Sequence, residues 1–241
     1  RKTRNTEVSP YAISVRDYVP GDPLRRIDWK STARLEKIMV KEFEEDPQST
    51  VWVFVDGDDK FVYRNKDLEQ SKNNKNEFWK NTENDQEYWF ENSFEQGISV
   101  SASICDYYIR DGRYIGFYSN GQKIISISPE GGVRQLDKLL EMLASLQAAP
   151  ENDIGGLLIS QSPQLGNGST IVVVSSNTSV EFVESIKRMQ KRNFVVILAS
   201  MNPKSYNTGI NADKFYAAIR ELGIKLIVFE NGQPYDEKKC Y

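Results

Sequence analysis

Three carboxylates in four residues, Asp56-Gly57-Asp58-Asp59, followed at once by Lys60, stand directly after the apolar run Thr50–Val55. Hard oxygens grouped in this way could hold a divalent cation. An Asp-x-Asp pair at a strand end could also serve phosphoryl transfer of the haloacid dehalogenase type, with Asp56 as nucleophile and Asp58 as general acid on magnesium-bound phosphate. The second chemical grouping is Ser175-Ser176-Asn177-Thr178-Ser179, a hydroxyl-rich turn after another apolar run. Spacing alone reads both groupings first as turns and helix caps, because Asp and Ser are preferred N-cap residues. Lys60 counts against a cation, since its ammonium could fill the same space.

Composition removes several other chemistries. The chain has no histidine, so Ser-His-Asp and Cys-His arrangements are excluded. Its two cysteines, Cys105 and Cys240, are too few and too widely spaced for a zinc ligand set; Cys105 is expected to be a buried thiol and Cys240 a tail thiol. With 31 Lys and Arg against 34 Asp and Glu, the net charge of -3 supplies no field to collect nucleic acid. No apolar run is long enough to span a bilayer and no leader opens the chain. The start at Arg1 is expected to reflect a soluble piece of a longer protein, with membrane helices upstream and the basic residues Arg1, Lys2 and Arg4 on the cytoplasmic side.

The elements that position these groups alternate. Residues 12–18 and 38–43 read as peripheral strands, with Asp28 capping a short helix over 29–34. Thr50–Val55, apolar throughout, suits a central strand buried on both faces. Residues 64–87 are too polar to bury much surface and read as a weakly helical excursion. Apolar residues return at helical spacing over 89–110, with Trp89 and Phe90 beginning the buried face and Asp111-Gly112 as the stop. A hairpin follows, with strands over 114–118 and 123–127 joined by Ser119-Asn120-Gly121. Helices are expected over 133–147, 154–161, 179–191 and 212–222, and strands over 170–174, 194–199 and 224–229. This is an α/β pattern: a Rossmann-type, mostly parallel sheet with helices on both faces and a peripheral amino-terminal β arm. The expected divisions are an arm over 1–48, a main domain over 49–235 and a tail over 236–241. Sites in such sheets lie beyond the strand carboxyl ends, where both groupings fall.

The stretch from Tyr18-Val19-Pro20-Gly21-Asp22-Pro23 through Leu24-Arg25-Arg26-Ile27-Asp28-Trp29 to Lys30-Ser31-Thr32-Ala33-Arg34, followed by Val40-Lys41-Glu42-Phe43-Glu44, resembles the signature of the DUF58 family. In physical terms, Asp22 and Asp28 could pair with Arg16, Arg25, Arg26 and Arg34 under the cover of Trp29, a clasp fixing the arm. The alternative is a partner-binding surface. The resemblance implies a von Willebrand factor A-like fold and a metal-ion-dependent adhesion site of the form Asp-x-Ser-x-Ser. That motif reads Asp56, Asp58, Lys60 here, and the later aspartate of the family corresponds to Ser176. One carboxylate lost and one ammonium gained argue against a tightly held metal. No cofactor is expected beyond weak magnesium binding.

The leading expectation is therefore a non-catalytic interaction domain of a membrane-anchored protein, with Asp59, Trp79 and Asn177 as candidate partner contacts. The resemblance also implies a MoxR-type AAA+ ATPase as partner. The enzyme alternative rests on Asp56 and Asp58, with Lys191 as its later lysine.

Overall fold

Two compact units divide the chain, Arg1–Ser49 and Thr50–Tyr241. The computed structural model describes residues 12–19, 27–43, 50–65, 89–150 and 152–233. In the first unit β1 (Ala12–Asp17) pairs antiparallel with β2 (Met39–Phe43), and α1 (Trp29–Leu35) lies between them in sequence. Asp28 caps α1 as expected: its carboxylate accepts the Lys30 amide at 3.3 Å and the Ser31 hydroxyl at 2.8 Å. Around the expected clasp, Trp29 is 70% exposed, Ala33 and Arg34 are exposed too, and Asp28 caps its own helix turn. Tyr18 donates its amide to the Ile38 carbonyl, which closes the arm's strand pair. Gly21, Asp22, Arg25 and Arg26 lie outside the described residues.

The second unit is built on β3 (Thr50–Val55), whose six residues are all buried. Its sequence is β-branched or aromatic throughout, which fits a pleated surface packed on both sides. After it come α2 (Ser93–Arg110), β4 (Tyr114–Asn120), β5 (Ile124–Glu130), α3 (Val133–Ser145) and α4 (Ile154–Gln161). The chain continues through β6 (Thr170–Ser175), α5 (Val180–Lys191), β7 (Val195–Met201), α6 (Asp213–Glu221) and β8 (Lys225–Phe229). The strand order is β5-β4-β3-β6-β7-β8, parallel except for the antiparallel edge strand β5. This is the expected Rossmann-type, mostly parallel sheet. Its order reverses between β3 and β6, and the loops after those two strands meet at the switch point where ligands collect.

Alternation along the strands sorts the core into two layers. Val51, Val53, Val55, Ile115, Phe117, Val172 and Val174 pack with Phe94, Val100 and Cys105 of α2 and with Leu139 and Leu143 of α3. Trp52, Phe54, Tyr118, Ile171, Val173 and Leu198 face α4, α5 and α6 through Leu158, Ile186 and Ile219. Tyr118 stacks on Trp52 and Phe54 at 5.2 and 5.0 Å between centroids. Gly116 makes room for the indole, since a Cβ there would lie 2.3 Å from the Trp52 ring. Cys105 is a buried thiol, pushed up to about 12 by burial; Cys240 is outside the described residues.

Two boundaries differ from expectation for local reasons. The long helix begins at Ser93, not Trp89, because the Asn92 side chain accepts the Glu95 amide and sets the N-cap there. Trp89 is 45% exposed, so it does not open the buried face. The hairpin turn is also shorter, since β4 runs on through Ser119 and Asn120. Of the polar excursion only Arg64 and Asn65 are described. Among the described residues no helix is long and apolar enough to cross a membrane.

Candidate functional site

Parallel pairing sets the row in which the site is built. Val55 is level with Ser119 of β4 and Val174 of β6, so one residue further the strands bring Asn120, Asp56 and Ser175 side by side. The Asp56 amide extends the ladder by donating to the Val174 carbonyl at 2.9 Å. Its carboxylate, 9% exposed, then accepts from three neutral donors. The Ser175 hydroxyl reaches Oδ2 at 2.6 Å, while the Asp58 amide and Asn120 Nδ2 reach Oδ1 at 3.1 and 3.4 Å. Burial, opposed by these hydrogen bonds and reinforced by the Asp58 charge, raises the Asp56 carboxyl from 3.8 to about 6.

The surrounding turns are held to this row. Asn120 Oδ1 accepts the Gly57 amide at 2.7 Å, and its Nδ2 also donates to the Asn152 carbonyl at 2.8 Å. Gly57 is required by a close approach, because a Cβ there would lie 2.7 Å from the Gly121 Cα. Asp58, 8% exposed, caps the 3-10 turn Asp59–Phe61 by accepting the Lys60 amide at 3.0 Å. After β6 the Ser175 hydroxyl accepts the Asn177 amide, Asn177 Oδ1 accepts the Ser179 amide, and Ser179 caps α5. Beside the site, burial raises the Tyr63 hydroxyl, opposed by its hydrogen bond to Thr178.

Above the row lies a small cleft open to solvent, with an enclosed space of about 10 Å³, close to that of a single water. Asp56, Asp58, Ser93, Ser175 and Ser176 contribute its polar lining, and Phe61, Val62, Phe94, Val174 and Met201 are among its apolar walls. The structure thus brings together Asp56, Asp58 and Ser176, three of the four positions derived from the family motif. Lys60 is the exception and a correction: its side chain is exposed, with Nζ 5.2 Å above the Phe61 ring, so its ammonium does not fill the site. Ser176 is not the residue level with Asp56; Ser175 is. Of the contact candidates, Asn177 is 4% exposed and spent on the loop, which removes it from a contact surface. Asp59 pairs with Arg64 at 2.9 Å on the outside, and Trp79 lies outside the described residues.

Of the residues named for the phosphohydrolase alternative, Asp56 has both oxygens hydrogen-bonded, and Lys191 ends α5, a helix that starts beside the site and carries it roughly 18 Å away by rise alone. Among the described residues no group of three or more Cys, Asp or Glu side chains is placed to hold a metal ion.

Asn120, Ser175 and Asn152 are site residues that sequence reasoning missed. The signal for the first two is register: each ends its strand in the row of Asp56.

Comparison with known proteins gives the following. The family described as "Protein of unknown function DUF58" matches residues 14–78. The protein named "Uncharacterized protein YeaD" from Bacillus subtilis (strain 168) is 22% identical over 216 residues, covering 78% of this chain. The chain spans about half, 46%, of that relative's length. Among solved structures, the conserved hypothetical protein BatB from Bacteroides thetaiotaomicron aligns over 76% of this chain and 90% of its own, at 11% identity and a TM-score of 0.46. Proximal thread matrix protein 1 from the mussel byssus, with a zinc-occupied MIDAS motif, aligns over 76% of this chain and 44% of its own, at 11% identity and a TM-score of 0.44. The likeness to DUF58 carried by Tyr18 through Arg34 is therefore matched by the family itself over residues 14–78, and the chain is DUF58-like through that region.

Proposed function

We propose that this chain is a non-catalytic protein-interaction domain whose contact surface is the carboxyl edge of the sheet around Asp56, and that it works without a resident cation. One observation carries the reading: a buried carboxylate at the switch point is satisfied by neutral donors from Ser175, Asn120 and the Asp58 amide. A divalent cation of this kind wants about six oxygens with enough negative charge among them. Only Asp56 and Asp58 supply charge here, and Asp58 is shared with a cap. The adhesion site is on this reading degenerate, and shape and hydrogen bonding replace the ion.

The DUF58 likeness supports a membrane-anchored parent protein with this domain on the cytoplasmic side, and a MoxR-type AAA+ ATPase as the partner. The test is capture of a purified MoxR-type ATPase on the immobilised chain. Retention by the wild type, lost when Asp58 and Ser176 are both changed to Arg, is the expected result. Retention indifferent to those changes, or none at all, overturns the partner assignment. Magnesium-dependent hydrolysis of p-nitrophenyl phosphate that disappears in Asp56→Asn overturns the non-catalytic reading.

A further inference from the structure

We infer that Asn167 is a self-modifying site: its side chain condenses with the Gly168 backbone and is converted by water to aspartate and isoaspartate, while the fold holds the two other Asn-Gly pairs unreactive. The chain has three such pairs, Asn120-Gly121, Asn167-Gly168 and Asn231-Gly232. In each, glycine has no Cβ to keep its nitrogen from the preceding side-chain amide, and asparagine is thermally labile. Reaction further requires a side chain free to turn onto the main chain, a backbone nitrogen with no hydrogen bond to lose, and water at hand.

Asn167 meets these conditions. The Ser169 amide donates to the Gly166 carbonyl at 3.1 Å, which places Asn167 and Gly168 at the central positions of a four-residue turn. Gly168 has φ +80° and Asn167 a negative φ, the pattern of a type II turn. Asn167 is exposed, and neither its side-chain amide nor the Gly168 amide has a hydrogen bond among the described residues. The surroundings are open, since a Cβ on Gly168 would meet nothing within 4 Å. The other two pairs are locked. Asn120 is 2% exposed, and its amide is engaged with Gly57, Asn152 and Asp56. Asn231 is 5% exposed; its Oδ1 accepts the Phe90 amide at 2.8 Å and its Nδ2 donates to the Phe90 carbonyl at 3.0 Å. Either side chain must break those bonds, and its loop must open, before it can turn onto the main chain.

Water is the sole co-reactant. The Gly168 nitrogen gives up its proton and attacks Asn167 Cγ; the N–Cγ bond forms, the Cγ–Nδ2 bond breaks, and Nδ2 leaves as ammonia with that proton. Water then opens the ring. Cleavage of N–Cγ gives aspartate, and cleavage of the original peptide C–N bond gives isoaspartate, whose main chain runs through Cγ. Either product adds one negative charge at neutral pH. Isoaspartate also lengthens the main chain two residues before Ser169, whose carbonyl accepts the Val195 amide at 3.2 Å where β6 and β7 begin to pair. The change falls at the opposite end of β6 from Ser175, away from the edge around Asp56.

The experiment incubates the whole chain in mildly alkaline buffer at physiological temperature, folded and in parallel in guanidinium chloride. Peptide mass spectrometry follows the replacement of the side-chain NH2 by OH at residues 120, 167 and 231. In the folded chain residue 167 is expected to convert at least about tenfold faster than either of the others, because a local opening of about 1.4 kcal/mol already slows reaction tenfold. In guanidinium chloride the three rates converge. An acidic species that grows on ion exchange with the wild type and fails to grow with Asn167→Gln completes the expected result. A smaller ratio in the folded chain, or a residue 167 that stays intact there while it converts in guanidinium chloride, overturns the inference.

Discussion

Two turns at the carboxyl edge use the same backbone device and differ in what is added to it. After β7, Asn202 accepts the Lys204 amide at 3.1 Å and caps the 3-10 turn Pro203–Tyr206 with φ -71° and ψ 116°. After β3, Asp58 accepts the Lys60 amide at 3.0 Å and caps the turn Asp59–Phe61 with φ -73° and ψ 113°. An amide serves the first turn, so a carboxylate is not needed for the second. The β3 turn also has two residues that its counterpart lacks, since Met201 is followed directly by the cap whereas Val55 is followed by Asp56 and Gly57. Those two residues bring the buried charge and the contact with Gly121. A fold does not require a buried carboxylate there, which is why the difference points to function.

Changes at these paired positions break or sharpen the contrast. Gly57→Ala forces backbone apart at Gly121 and is expected to cost roughly 3 kcal/mol or more by urea denaturation. Gly209→Ala, after the β7 turn, has open space at a φ of +72° and pays only the left-handed backbone cost of about 1–2 kcal/mol. Equal losses would remove the special status of the β3 turn.

Asp56→Asn should change how stability depends on pH. With the carboxyl at about 6 in the fold against 3.8 outside it, the native state holds a proton that the unfolded chain releases between those values. Wild-type stability from this group therefore falls as pH rises through that window and is level above it. The variant lacks the slope, and its gain at neutral pH has an upper limit of about 3 kcal/mol, vanishing below about pH 4. Parallel profiles for the two proteins would contradict the burial of an ionisable group at this position.

Smaller effects separate neighbouring strands. Ser175 and Ser200 are paired in register, but only Ser175 donates to a carboxylate, whereas Ser200 has a 3.4 Å contact with the Tyr216 hydroxyl. Ser175→Ala is expected to cost about 2 kcal/mol and Ser200→Ala under about 1 kcal/mol in the same denaturation measurement. The smallest effect belongs to the cap after β3. Asp58→Asn should lie within about 0.5 kcal/mol of wild type, because either side chain caps the turn. Asn202→Asp should lose about 1 kcal/mol, because its Nδ2 now donates to Glu230 at 2.8 Å and a second carboxylate would repel it.

Much of this is legible in residue types. The unbroken apolar run Thr50–Val55 and the strand-helix alternation give the sheet, and the carboxylates after it give the switch point. What the spacing hides is register. Ser175 and Ser176 look alike in a row of hydroxyls, and only the pairing of Val55 with Val174 selects Ser175 as the residue beside Asp56. Asn120 reads as a turn residue because Asn-Gly marks turns, yet the strand continues through it and places its amide across Gly57 and Asp56. The orientation of Lys60 is equally unreadable, since a 3-10 turn after an Asp cap swings successive side chains to different sides. Trp29 shows the reverse error: a tryptophan among arginines suggests a cover, and burial in the arm does not follow from the neighbours in sequence.

The most direct test is titration calorimetry of the chain with magnesium and manganese chloride at about pH 7.5, where Asp56 is ionised. A carboxylate closed by Ser175, Asn120 and the Asp58 amide predicts no saturable heat in the micromolar range for either ion. Micromolar binding that is lost in Asp56→Ala would contradict it.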